Sequence, residues 1–130
     1  MTNLNPYQQY QQNSVMSAGK GELTLLLYNG AVKYIKQGLK HIEEKNIEEA
    51  HNSIVRVQDI LAELNGTLNM EYEISRNLAL LYDYMIRRLI EANNRKDKLI
   101  LDEVQGLVED LRDTWLQVLK LSKSALASGQ

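Results

Sequence analysis

Apolar residues recur at alternating steps of four and three in four successive stretches, and each stretch is closed by polar or helix-stopping residues. Steps of that size bring side chains back to one line on a helix of 3.6 residues per turn. The first stretch starts near Gly19, with Glu22 as its capping carboxylate, fades at Glu44 and Lys45, and carries Tyr28, Val32, Ile35, Leu39 and Ile42. Asn46 is read as the cap of the second helix, with Glu49 at its third position; the stripe is Ala50, Ile54, Val57, Leu61, Leu64 and Leu68, and the stop falls around Gly66 to Asn69. From about Tyr72 the third helix repeats the pattern with Ile74, Leu78, Leu81, Met85, Leu89 and Ala92 and ends at Asn93 and Asn94. Asp97 opens the fourth, with Leu101, Val104, Val108, Leu111, Trp115 and Val118 on one line.

Turns of a few residues force successive helices to run in opposite directions. The sequence therefore predicts an all-α fold, an antiparallel up-down-up-down four-helix bundle with crossings near 20°. The bundle is expected over residues 19–121, between a short N-terminal helical or extended leader at 1–18 and a flexible polar tail at 122–130. Trp115 and Met85 fall on their stripes and are assigned to the core, as are Leu64 and Leu81, where truncation to Ala is expected to cost about 2–5 kcal/mol.

Several function classes are excluded early. A chain of 130 residues builds one core comfortably and not two. It has no cysteine, so neither disulfides nor thiolate metal sites are available, a composition compatible with a reducing cytosol. Fifteen basic against 17 acidic residues leave a net charge of -2, too weak a field to gather nucleic acid or anionic lipid. No run approaches the roughly 18 apolar residues that a membrane span needs, and the Gln- and Asn-rich leader has no apolar signal core.

Catalytic and metal chemistry find few residues to use. Glu48 and His51 have the Glu-x-x-His spacing of a carboxylate-bridged metal site, but His41 has Gly38 where its glutamate would stand. Gly19-Lys20-Gly21 has no upstream glycine at phosphate-loop distance, and Glu22 follows where Ser or Thr belongs. No nucleophile is paired with a histidine. The reading is a non-enzyme with no catalytic residue, no metal site and no cofactor. Arg87 and Arg88 are assigned to solvent or to one-turn pairs with Asp83 and Glu91.

The first helix has more apolar surface than one seam requires. Leu23, Leu27, Gly30 and Tyr34 form a second line well over a quarter turn from the first, and Tyr72, Ala79, Ile86 and Ile90 lie off the seam of the third helix. The leader folding back would cover part of the second line, and a cover so short is displaceable. Spare apolar surface on a soluble protein points to a binding partner.

At this point the residues resemble a known family, the flagellin export chaperones of the FliS type. The likeness runs through Asn5-Pro6-Tyr7 with Tyr10, Asn13-Ser14-Val15, Gly21-Glu22-Leu23-Thr24-Leu25-Leu26-Leu27-Tyr28-Asn29-Gly30, Leu78-Ala79-Leu80-Leu81-Tyr82-Asp83-Tyr84-Met85 with Arg87-Arg88-Leu89, Glu91-Ala92-Asn93, and Leu111-Arg112-Asp113-Thr114-Trp115. It departs at Gly19-Lys20, where the family often has Thr or Ser before Pro, and at Glu71-Tyr72-Glu73, usually a smaller, glycine-containing stretch. The resemblance implies a cytosolic, ATP-independent export chaperone that binds the disordered C-terminal region of flagellin. It would prevent premature polymerisation and aid delivery to a component of the flagellar type III export gate. A flagellar regulatory protein stands as a further partner implied for some relatives. Leu23, Leu27, Tyr34, Ile86 and Ile90 become the groove candidates. Tyr7, Tyr10 and Val15 in the leader become cover or partner contacts. The alternative from another class is a helical adaptor or regulatory binding protein for a different helical partner.

Overall fold

The computed structural model describes residues 19–128, with side chains over 21–123. Within that span the chain forms four α-helices: α1 (Gly19–Glu43), α2 (Ile47–Gly66), α3 (Glu73–Arg95) and α4 (Lys98–Ser128). α1 and α3 each pack on α2 and α4, and the backbones of the diagonal pairs do not meet. Opposite ends of α1 and α4 come together: the Trp115 indole N–H donates to the Gly21 carbonyl at 2.7 Å, and Lys98 lies 3.8 Å from Glu43. This is the four-helix bundle that the periodicity demanded. The leader at 1–18, with its candidates Tyr7, Tyr10 and Val15, lies outside the described residues.

On α2 the stripe enters the interior as read, buried from Ala50 through Leu64 with Leu68 half-buried. On α1, Tyr28, Val32 and Ile35 are buried while Leu39 and Ile42 pack at the core's edge. Small residues set how closely the helices approach. A methyl group on Gly38 would lie 3.3 Å from a Leu101 methyl and 3.5 Å from Ile54, and Ala31 and Ala50 are buried without remaining exposure.

The seam of α3 follows the expected line at Met85, Leu89 and Ala92, all fully buried, and departs from it in the first half of the helix. Ile74 is exposed and Leu81 only half-buried, whereas Tyr82, one residue on, is 2% exposed at the centre. Leu78 to Met85 can be bridged at helical spacing through either position, and apolarity alone favours leucine. Tyrosine occupies the centre because its hydroxyl has a partner there. Tyr28 on the diagonal helix hydrogen-bonds it at 2.5 Å, so neither phenol is left as an unpaired buried polar group. Val118 is likewise exposed rather than seamed. At 1.5 Å per residue, α4 is roughly 46 Å long against roughly 30 Å for α2, so it outruns its neighbours. It also continues to Ser128, past the expected departure after residue 121; Ala125, Leu126 and Ala127 are strong helix formers.

The helix ends use fewer of the predicted caps than the sequence suggested. Asn46 makes no side-chain cap bond, and Glu49 instead accepts from Asn52 at 3.3 Å. α1 closes with Lys45 in the left-handed region and crossed bonds from Asn46 N–H to the His41 carbonyl and from Lys45 N–H to that of Ile42. α3 runs past Asn93 and Asn94 to Arg95 and is stopped by left-handed Lys96, with the Asp97 N–H returning to the Ala92 carbonyl. The Asn93 side chain is engaged elsewhere, with His51 on α2 and with Lys96. Asp97 caps α4 as read, accepting from the Leu99 and Ile100 amides.

Two stability measurements follow from this core. Leu64→Ala, at a fully enclosed position, is expected to lower unfolding free energy by about 2–5 kcal/mol, and Leu81→Ala by less, since that side chain packs at the edge of the core and is only partly buried; equal losses in denaturant titrations would place Leu81 back in the seam. Burial pushes both phenols of the Tyr28–Tyr82 pair above the ordinary tyrosine range. A raised folded value means the stabilisation is intact below the unfolded value near 10 and fades as pH rises through the folded one. Stability of the natural chain should therefore fall above about pH 10, and Tyr28→Phe with Tyr82→Phe together should flatten that limb.

Candidate interaction surface

The two apolar lines of α1 diverge in the bundle because α1 has one neighbour on each side. The seam line turns inward. The line Leu23, Leu27, Gly30 and Tyr34 runs along the junction with α2, where a methyl on Gly30 would sit 3.4 Å from the Ile60 Cδ1. Leu27 is half-buried against the core and Leu23 is 43% exposed. At the far end the Tyr34 ring is roofed by Arg56 of α2: the guanidinium lies 4.8 Å from the ring centroid and donates to the phenol oxygen at 2.7 Å. That bond and the guanidinium's charge hold the Tyr34 phenol below the usual tyrosine range.

Ile86 and Ile90 flank α2 from its other side. Seven residues separate Ile86 from Asn93, so both share one face of α3, and Asn93 Nδ2 meets His51 Nδ1 of α2 at 2.8 Å. Ile86 is half-buried against the core and Ile90 is exposed. The structure thus brings Leu23, Leu27 and Tyr34 together along one edge of α2 and places Ile86 and Ile90 along the other. They form two strips rather than one site.

The orientation of the second strip is set by a polar contact across α3 and α4. Glu103 of α4 accepts from the Tyr84 hydroxyl at one oxygen and from Arg88 Nε at the other, 2.9 Å away, while Arg88 also reaches Glu91 at 2.7 Å. The Arg87–Asp83 pair on the same helix is exposed, at 3.2 Å. The Tyr84 hydrogen bond, joined by that from Arg88, holds the Glu103 carboxyl below the usual range.

Exposed apolar side chains extend beyond the predicted strips. Leu26 on α1, Leu80 on α3 and Leu116 and Leu121 on α4 face solvent, most of them toward the end where α1 and α3 begin and α4 finishes. Leu26 belongs to neither line of α1 and Leu80 is adjacent to the seam, so a search for helical lines passes over both. Among the described residues, no three His, Cys, Asp or Glu side chains converge in the manner of a metal site, and no helix is long and apolar enough to cross a membrane. Glu48 is exposed, and His51 is turned to Asn93.

Comparison with known proteins bears directly on this surface. Residues 3–122 match the model of the flagellar protein FliS family. The chain belongs to that family. It is 47% identical over 116 residues to the flagellar secretion chaperone FliS of Bacillus subtilis, covering 89% of this chain and 87% of the relative. It is 33% identical over 110 residues to the FliS of Salmonella typhimurium, covering 82% of each. A third relative, the flagellar secretion chaperone FliSB of Pseudomonas aeruginosa, is 35% identical over 113 residues, with 82% of this chain and 90% of the relative covered. The FliS match spans α1, α2 and α3 whole and most of α4, so both strips beside α2 lie within it.

In this FliS-family chain the Glu103 contact makes a pH prediction. A depressed folded carboxyl stabilises the fold above the unfolded value near 4.3 and loses that effect as pH falls through the folded value. Glu103→Gln is expected to lower stability at neutral pH and to flatten the decline below about pH 4.3, as read by thermal melts across an acid series. An unchanged acid limb would remove Glu103 from the account.

Proposed function

We propose that this chain is a cytosolic, ATP-independent export chaperone that binds the disordered C-terminal region of flagellin, keeps it from polymerising early, and delivers it to a component of the flagellar type III export gate. One observation carries the reading. A well-packed four-helix core leaves leucines and isoleucines exposed along both edges of α2 and at both ends of the bundle, in a chain whose family relatives are flagellar secretion chaperones. Broad apolar strips suit an unstructured guest. Its segments can fold in pieces against the strips, with the ordering entropy offset by many small contacts, so that the complex stays releasable.

Leu23, Leu27, Tyr34, Ile86 and Ile90 are the proposed contact residues, with Tyr7, Tyr10 and Val15 in the leader as a displaceable cover. Leu26 joins them on exposure. Leu27 contributes to the core as well, so it is a poor place to test binding alone. Leu23 and Ile90 are better, since charge there meets water in the free chain.

Calorimetric titration of flagellin into the chain is the deciding measurement. Leu23→Glu and Ile90→Glu are expected to weaken binding about tenfold or more while leaving helix content and melting temperature unchanged. Flagellin lacking its C-terminal segment should not bind. Equal retention of intact and truncated flagellin would refute the proposed mode of binding.

A further inference from the structure

The apolar line on α1 ends at a cation. Arg56 stacks on the Tyr34 ring and donates to its hydroxyl, and Lys33 approaches the same ring at 5.4 Å to the centroid. Among the described residues Arg56 takes part in no ion pair; Asp59, on the same helix, bears on it only through its field. Glu49, one of the residues lining the adjoining depression, accepts from Asn52 and makes no ion pair with Arg56. Beside the stacked pair lies a shallow depression, open to solvent, whose edge is formed by Gln37, Glu49, His51, Asn52, Ser53 and Val55 and which exposes polar and apolar atoms alike.

A guanidinium held on a tyrosine face has one donor committed to the phenol oxygen and others still free, arranged as a planar fork that matches a carboxylate. Stacking also fixes the side chain in place before a guest arrives, so less rotamer freedom is lost when a further bond forms. Resting on the reading above, we infer that Arg56 is the specificity-determining contact of the α1–α2 strip and recognises an acidic side chain in the guest. Apolar residues of the same guest segment lie over Leu23, Leu27 and Gly30. Apolar contact supplies affinity along the strip but slides easily. A single charge pair at one end fixes the register and rejects segments with lysine or arginine at that point.

The test uses full-length chain and full-length flagellin, titrated at low and high ionic strength, with Arg56→Lys, Arg56→Gln and Arg56→Glu beside the natural protein. Arg56 is exposed, so all three variants should keep the natural melting temperature. The expected result is weaker binding by about 5- to 20-fold for Arg56→Gln at low salt, a larger loss for Arg56→Glu, and an intermediate loss for Arg56→Lys, which keeps the charge but not the planar fork. The natural chain should lose affinity as salt rises, and Arg56→Gln should lose most of that dependence, a readout that a purely structural role would not move. Changing acidic residues of the flagellin C-terminal region singly to lysine should identify one that restores binding to Arg56→Glu. Flagellin that binds the Gln and Glu variants as tightly as the natural chain, with the same salt dependence, overturns this inference and leaves the chaperone reading standing. Flagellin that fails to bind the natural chain overturns both.

Discussion

A four-helix bundle gives each helix two neighbours and one interior, and α1 carries more apolar surface than that interior can take. Tyr28, Val32 and Ile35 fill its share of the core. Leu23, Leu27, Gly30 and Tyr34, more than a quarter turn away, are then confined to the junction with α2. The rest of the surface is arranged around that surplus: Ile60 closes over Gly30, Arg56 roofs Tyr34, and Leu23 remains open. The core itself meets the ordinary demands of packing. Gly38, Ala31 and Ala50 let helices approach, and the bulkier side chains fill the space between them.

The polar contacts divide by depth. Tyr28 and Tyr82 join diagonal helices through the centre, where an unpaired hydroxyl would be expensive, and they add direction to an interior otherwise held by nondirectional contact. Glu103 with Tyr84 and Arg88, and His51 with Asn93, operate nearer the surface. Water and salt weaken such pairs, so their main effect is angular. They set how α3 sits between α2 and α4, and with it the direction in which Ile86 and Ile90 are presented. This division gives the exposed apolar strips a rigid frame beneath them.

Membership of the FliS family and the geometry meet at the same residues. The family match covers both edges of α2, and exposed leucines and isoleucines lie along these edges, at the end where α1 starts and α4 outruns its neighbours, and, as Ile47 and Leu99, at the opposite end. A shallow depression borders Arg56 and Tyr34, at the end of the apolar strip.

Periodicity by itself determined the number of helices, their approximate bounds, the antiparallel order and most of the α2 and α4 seams, because burial repeats with the helical turn and short links leave no other topology. It also determined that α1 has a second apolar line. Tertiary structure alone decided the rest. Choosing Tyr82 over Leu81 required knowing that Tyr28 stands across the core, 54 residues away. The stops at Lys45 and Lys96 required knowing that Asn46 caps nothing with its side chain and that Asn93 is occupied by His51. Arg56 over Tyr34 joins positions 22 residues apart on different helices. Local spacing reports what a residue does within its own helix; partnerships between helices depend on rotation and offset, which are settled only when all four pack at once.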